Sequence, residues 1–336
     1  MTLAFMLLHS VACHKIEEPE MTVEGNFEAL WSVIDQHYCF FDLKEIDWLA
    51  VHDKYHAQLA QVKTVDAFFD LLGGMLNELR DGHVSLVSPF DISTYDAWWS
   101  SYPLNYNSYI IYNNYLRDYY RTAAGWRYVP LFRQDLEVGY VSYRSFSTPV
   151  AAGNILSVFS RFRYAKGLIL DLRENGGGNL MTATTIASFF ADKRRVVGYN
   201  MHKTGSGHAD FSEPKPIYIN PVDSGGWGSR PVVVLTNRGC YSATNEFVNY
   251  MSNYPNVIIM GDRTGGGGGF PFTSDLPLGW TVRFSINPSL DVEKNHIEEG
   301  IEPDVKLEML GEDELQGRDT YIESAITLIL DRQGLH

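Results

Sequence analysis

The chain has 336 residues, 45% of them hydrophobic and 20% charged, which are the proportions of a folded globular protein with room for one large or two ordinary domains. A net charge of −14 leaves no basic excess to meet phosphates, so nucleic acid is not an expected partner. Three cysteines, Cys13, Cys39 and Cys240, are too few for a disulfide framework.

The first thirteen residues, Met1 to Cys13, are mostly apolar and end in Ser10-Val11-Ala12-Cys13. Such a run is too short to span a bilayer but suits the apolar region of a signal peptide. Its end resembles a bacterial lipoprotein processing site, in which Cys13 becomes the lipidated N-terminus. Position 10 is not the usual Leu, and no Lys or Arg precedes the run. The expectation is export to the bacterial cell envelope, with possible membrane attachment through a lipidated Cys13. Residues 14–24 are polar and acidic, so 1–24 reads as a signal-like segment and tether.

Helical spacing begins with Phe27, Leu30, Trp31, Ile34 and Tyr38. A second helix is expected from Trp48 to Ala60. A third follows Thr64 as N-cap, with Phe68, Leu71, Leu72, Met75, Leu76 and Leu79 on one side. Residues 25–82 thus form an N-terminal helical unit. Arg80-Asp81-Gly82-His83 breaks the helix with a turn, and Val84-Ser85-Leu86-Val87 alternates like a strand. Residues 83–135 combine that strand with an aromatic-rich insertion containing Trp98, Trp99 and Trp126. Its aromatics suit a small β-rich unit packed on the main body, or a platform for a peptide or glycan.

From 136 to 336 strands and helices alternate, as in an α/β domain. Strands are expected at Val138–Phe146, Gly167–Arg173, Val232–Thr236, Asn256–Met260, Trp280–Ile286 and Val305–Leu307. Helices are expected at Asn154–Tyr164, after Asn179 and at Asp319–Asp331. Residues 200–230 read as a Gly-, Pro- and Ser-containing connection, and Gly265–Gly269 as a flexible loop or a place where substrate backbone approaches.

Three stretches carry candidate chemistry. Val232–Thr236 runs through Asn237-Arg238-Gly239-Cys240-Tyr241 into Ser242 and a helix. That strand–turn–helix order can project a hydroxyl into a cleft, yet serine is equally a preferred N-cap. Gly176-Gly177-Gly178 ends a strand before a helix and can present N–H groups to an oxyanion, but matches neither the P-loop nor the GxGxxG pattern. Among ten histidines, His83 sits in a turn leading into a strand. His52 and His56 have the i, i+4 spacing of metal ligands, but no third ligand is near in sequence, and the stretch reads better as a solvated helix face.

Together these residues carry a resemblance. Asp171-Leu172-Arg173-Glu174-Asn175-Gly176-Gly177-Gly178, Ser242-Ala243-Thr244-Asn245-Glu246-Phe247, Gly261-Asp262-Arg263-Thr264-Gly265-Gly266 and Gly300-Ile301-Glu302-Pro303-Asp304 resemble, in order, the signatures of the tail-specific or C-terminal processing peptidases, family S41. The helical region from Asn26 to Trp48 is similar to the family's N-terminal part. The resemblance implies a crotonase/ClpP-like α/β catalytic domain over 136–336. The family's PDZ domain has no counterpart, because residues 88–135 are too few for one.

One branch of the family pairs its serine with a lysine 25 residues later; here that position is Gly267. The chain is instead similar to the histidine-type branch of the tricorn core and the interphotoreceptor retinoid-binding repeats. The resemblance implies Ser242 as nucleophile, His83 as base and a glutamate behind the histidine, Glu298 in preference to Glu299. The serine that precedes the tricorn histidine is replaced by Gly82. Ala243 and Gly177 N–H groups are the implied oxyanion donors. The expected function is a serine endopeptidase acting on a protein or peptide through an acyl-enzyme, with no cofactor or metal. The alternative is a non-catalytic protein binding an apolar ligand or peptide on the same fold.

Overall fold

The computed structural model describes residues 21–96, 102 and 105–335. The signal-like segment, Cys13, Trp98 and Trp99 lie outside them. Three helices open the described chain: α1 (Val23–His37), α2 (Trp48–His56) and α3 (Val65–Asn77). Each starts at a side-chain cap, with Thr22 Oγ1, Asp47 Oδ1 and Thr64 Oγ1 accepting the N–H three residues on. Strands β1 (Ser85–Val87), β2 (Ile92–Thr94), β3 (Arg121–Ala123), β4 (Trp126–Arg133) and β5 (Leu136–Tyr143) follow. Then come α4 (Ala152–Arg161), β6 (Leu168–Asp171), α5 (Leu180–Ser188), β7 (Arg195–Asn200), β8 (Lys215–Ile219), β9 (Val232–Thr236) and α6 (Ala243–Met251). The chain closes with β10 (Val257–Gly261), β11 (Gly269–Asp275), β12 (Thr281–Leu290), β13 (Val305–Lys306) and α7 (Thr320–Arg332).

Two sheets organise the fold. In the seven-stranded sheet the order is β13-β10-β9-β6-β5-β4-β3. Its centre is parallel from β13 through β5, and β4 and β3 continue it antiparallel. Both faces are covered, which is why β6, β9 and β10 are buried along their whole length and read as unbroken apolar runs. One face packs Leu168, Leu170, Val232 and Val234 against α4, α5 and α6. The opposite face packs Ile169, Val233 and Leu235 against Tyr321, Ile322 and Ile329 of α7.

The second sheet runs β2-β1-β12-β7-β8, with β11 also paired to β12. Its core is shared with the N-terminal helices: Phe27, Leu30, Phe68 and Leu72 pack with Trp280, Val282 and Phe284. The helical unit therefore has no core of its own; it closes over a sheet that joins β1 and β2 to strands from the middle and later parts of the chain. Gly73 lets β2 come close, because a Cβ there would lie 2.5 Å from Ser93 Oγ.

Two expectations need revising. The stretch read as a connection contains β8, and β7 begins before it, at Arg195. The glycine run is not a loose loop. A Cβ on Gly266 would stand 1.8 Å from Glu298 O, and one on Gly267 2.5 Å from the Tyr241 ring. The run is glycine because the protein's own backbone and rings press against it, and it carries the chain from one sheet into β11 of the other.

Candidate active site

The site lies at the seam between the two sheets. The seven-stranded sheet supplies Ser242. After β9 the chain turns through Asn237, whose Oδ1 accepts the N–H groups of Glu174 and Gly239. Tyr241 N–H then donates to Asn175 O, and Ser242 N–H to Gly266 O at 2.9 Å. These bonds hold Ser242 at φ 58° and ψ −122°, a left-handed conformation strained for a residue with a side chain. Ser242 occupies the N-cap position of α6, but its hydroxyl makes no capping bond. It meets His83 Nε2 instead, at 2.9 Å. The hydroxyl is thus not spent on capping the helix.

The second sheet supplies His83. Asp81 Oδ1 accepts the His83 N–H at 2.8 Å, closing an Asx turn just before β1. Asp81 Oδ2 accepts from Ser285 Oγ on β12 at 2.9 Å. β1 and β12 are paired in register, Ser85 opposite Arg283, so both anchors of the turn belong to one rigid sheet. The His83 ring packs against Tyr241 with centroids 4.9 Å apart. Burial pushes its pKa down to about 4, against the opposing pull of the Asp81 charge. His83 is thus a neutral imidazole at neutral pH, ready to accept a proton. Burial also works against the Asp81 carboxylate, but Lys44, His83 and the Ser285 hydroxyl outweigh it and hold Asp81 below the usual range.

Glu298 lies in the same region without touching His83. Its Oε1 is 2.7 Å from Lys44 Nζ, and its Oε2 accepts the Gly268 N–H at 2.8 Å. His83 Nδ1 is buried and finds no hydrogen-bond partner among the described residues. An ammonium is a stronger partner for a buried carboxylate than a neutral imidazole, which accounts for the pairing seen. Burial and the Asp81 charge raise Glu298 to about 8, with Lys44 and the Gly268 N–H opposing them. Glu299 is exposed. Sequence reasoning missed Lys44 and Asp81. Asp81 stood in plain view as the Asp-Gly of a turn, whereas nothing marked Lys44.

The glycine turn reaches the nucleophile from the other side. A Cβ on Gly177 would stand 2.9 Å from Ser242 Cβ and 2.9 Å from Ala243 N. Asn175 clamps this corner: its Oδ1 accepts from Gly177 N–H and from Thr244 Oγ1, and its Nδ2 donates to Tyr143 O. The Gly177 N–H is therefore engaged, contrary to its expected freedom as an oxyanion donor. The bridge between Phe146 and Gly178 sends Gly177 O and Asn179 N toward Phe146, which turns the Gly178 N–H the opposite way. Ala243 is the first residue of α6, where N–H groups lack an intrahelical acceptor.

The Asp171-Leu172-Arg173 part of the signature is structural. Arg173 Nη2 lies 2.8 Å from Asp171 Oδ2 and Nη1 lies 2.9 Å from Asp319 Oδ2, all fully buried. Asp319 caps α7, so this network ties the strand end that carries the glycine turn to the last helix. Beside the dyad opens a cleft of about 430 Å³, lined by Lys44, Gly82, Tyr241, Arg238, Arg263 and Glu298 among others. A lysine at 267 is excluded by the Tyr241 ring.

The family model for peptidase family S41 matches residues 137–307, and that for the tricorn protease C1 domain matches 19–77. The carboxy-terminal processing protease CtpA of Bacillus subtilis is 29% identical over 178 residues, 52% of this chain and 36% of that protein. The matched segment thus spans about a third of that curated relative's length. A crystal structure of a candidate peptidase from Parabacteroides merdae is 48% identical, with a TM-score of 0.88, covering 93% of this chain and 98% of the other. Mature CPAF shares the fold at 13% identity, with a TM-score of 0.72 over 93% of this chain and 98% of the other. The mixed α/β architecture described above is that of this group, and no PDZ domain is indicated among the described residues.

Proposed function

The chain belongs to peptidase family S41, and we propose that it is a serine endopeptidase of the histidine type. The observation that carries this reading is the strained, uncapped Ser242, its Oγ 2.9 Å from the Nε2 of a neutral, buried His83. Ser242 Oγ attacks the scissile carbonyl while His83 Nε2 takes its proton, giving a tetrahedral intermediate. The imidazolium then protonates the leaving amine, and the acyl-enzyme is hydrolysed by water activated on the same nitrogen. The N–H of Ala243 is one oxyanion donor. Gly178 supplies the second in place of Gly177, whose amide Asn175 engages. The Asp81 charge favours the imidazolium as it forms. Glu298 shapes the cleft wall through Lys44 and Gly268 rather than through a bond to His83 in this state.

A protein or peptide is the substrate class that this chemistry fits. Export and attachment through Cys13 rest on the N-terminal sequence alone, and an intact mass carrying lipid on Cys13 would bear them out; no helix among the described residues is long and apolar enough to cross a membrane. The function is tested with a fluorophosphonate probe and a casein substrate. Wild-type protein should label and cleave, and Ser242→Ala should do neither. His83→Ala should lose at least a thousandfold in rate, since a nucleophile without its base retains only residual activity. An unlabelled wild-type protein, or equal background cleavage by all three, would sink the reading.

A further inference from the structure

A second constellation lies outside the catalytic seam, between the first two helices. Glu24 and Glu28 are four residues apart on α1, and His52 and His56 are four apart on α2, so each pair occupies one face of its helix. The helices pack with these faces together. His56 Nε2 is 2.6 Å from Glu24 Oε1 and 4.0 Å from Glu28 Oε1, and His52 Nε2 is 2.9 Å from Glu28 Oε1. Donor atoms of Glu24, Glu28 and His56 all lie within 4.8 Å of one another.

The imidazoles are also held from behind. The His52 ring meets the edges of Phe27 and Trp31 at 5.4 and 4.9 Å and stacks on His56 at 5.2 Å. Its Nδ1 faces Asp53 Oδ1 at 3.3 Å. A carboxylate on one ring nitrogen, with the other nitrogen aimed at a cluster of donors, is how proteins orient a histidine that binds metal. The i, i+4 histidines looked like a solvated helix face because their partners stand in a different helix, earlier in the chain.

We propose that Glu24, Glu28, His52 and His56 form a divalent transition-metal site that staples α1 to α2. Two imidazoles and two carboxylates are the donors of zinc or cobalt; calcium and magnesium take oxygen alone. In a tetrahedral site with bonds of about 2.0–2.1 Å, neighbouring donor atoms stand roughly 3.3 Å apart. The Glu24, Glu28 and His56 separations of 2.6 and 4.0 Å bracket that value, and His52, which meets only Glu28 at 2.9 Å and stands outside the triad that falls within 4.8 Å, must turn toward the ion to complete the site. The site shares no residue with the Ser242–His83 dyad, and its role is to fix the helical cover over the second sheet. The competing description is two His–Glu hydrogen-bonded pairs with no ion.

The test uses the full chain without an affinity tag, stripped with EDTA and titrated at neutral pH with cobalt(II), then zinc(II). The expected result is uptake of one cobalt per chain with the intense visible bands of four-coordinate cobalt, displacement by zinc, and a higher Tm with either ion. His56→Gln and Glu28→Gln should each weaken uptake at least tenfold and remove the rise in Tm. Far-UV circular dichroism checks that both variants fold. No metal uptake by the wild type would overturn the proposal in favour of hydrogen-bonded pairs. Uptake left unchanged by both variants would overturn it in favour of a site elsewhere.

Discussion

At the scale of single residues, the decisive quantity is the protonation state of His83. A base works only when neutral, and burial moves this imidazole from 6.5 down to about 4. The sign follows directly: activity is limited by protonation only below the depressed value, so the acid limb of kcat/KM should fall near pH 4 to 5 instead of 6 to 7. Asp81 acts in the opposite sense, since its charge favours the imidazolium. Asp81→Asn should therefore shift the acid limb further down while lowering kcat by about tenfold to a hundredfold, because the cation formed in the transition state loses support of roughly 1.4–2.8 kcal/mol. A pH–rate profile with a small peptide ester checks both shifts. A limb that stays in place in the variant would mean that Asp81 acts only through the turn it caps.

At the scale of elements, the site depends on three turns meeting, each fixed by side-chain bonds to backbone. The glycine turn has the least tolerance. Gly177 has φ 98°, and a Cβ there would stand 2.6 Å from Tyr241 O as well as against Ser242 and Ala243. Gly176, one residue earlier, has open space around its Cβ position and no positive φ. Gly177→Ala should lose at least a hundredfold in kcat/KM, the order expected when an oxyanion donor is displaced. It should also lose about 1–3 kcal/mol of stability through backbone strain. Gly176→Ala should change neither by more than a few-fold or a few tenths of a kcal/mol. Steady-state kinetics with urea unfolding on the same samples separates the two effects. The sequence announced these turns because glycine, asparagine and aspartate at fixed offsets are backbone chemistry. It did not announce β7, β8 or β11. Those strands are stabilised by pairing with β12 and with one another, and their Gly- and Pro-containing sequences show no clean alternation.

At the scale of the whole molecule, Ser242 and His83 are carried by two different sheets, so their alignment depends on contacts between segments far apart in the chain. Lys44 to Glu298 is one, spanning 254 residues between the loop after α1 and the segment between β12 and β13. A lysine in an acidic, turn-rich stretch reads as a solvated charge, and only the fold shows that its side chain is 7% exposed against a glutamate at 4%. The spacing before Gly300 singled out Glu298 over Glu299, but not which group would hold it, since that depends on what the opposing loop brings. At pH 9, where Glu298 is ionised, Lys44→Met should cost about 3–5 kcal/mol, the range for removing one partner of a buried pair, and far above the 1 kcal/mol ceiling of exposed pairs. The cost should depend on pH with a definite sign. The folded-state pKa of Glu298 is already raised to about 8, so the unfolded chain releases this proton at lower pH than the folded one. Stability from this group therefore declines as pH rises from about 4.5 toward 8. Removing the ammonium raises Glu298 further, so the deficit of Lys44→Met should widen from pH 6 to pH 9. Adding Glu298→Gln should recover most of it at pH 9 by removing the charge that has lost its partner. Urea unfolding of the wild type and the two variants at both pH values measures all three quantities. A deficit below 1 kcal/mol, or a double variant no more stable than the single one, would show that the two halves of the active site are held together by their shared apolar core rather than by this ion pair.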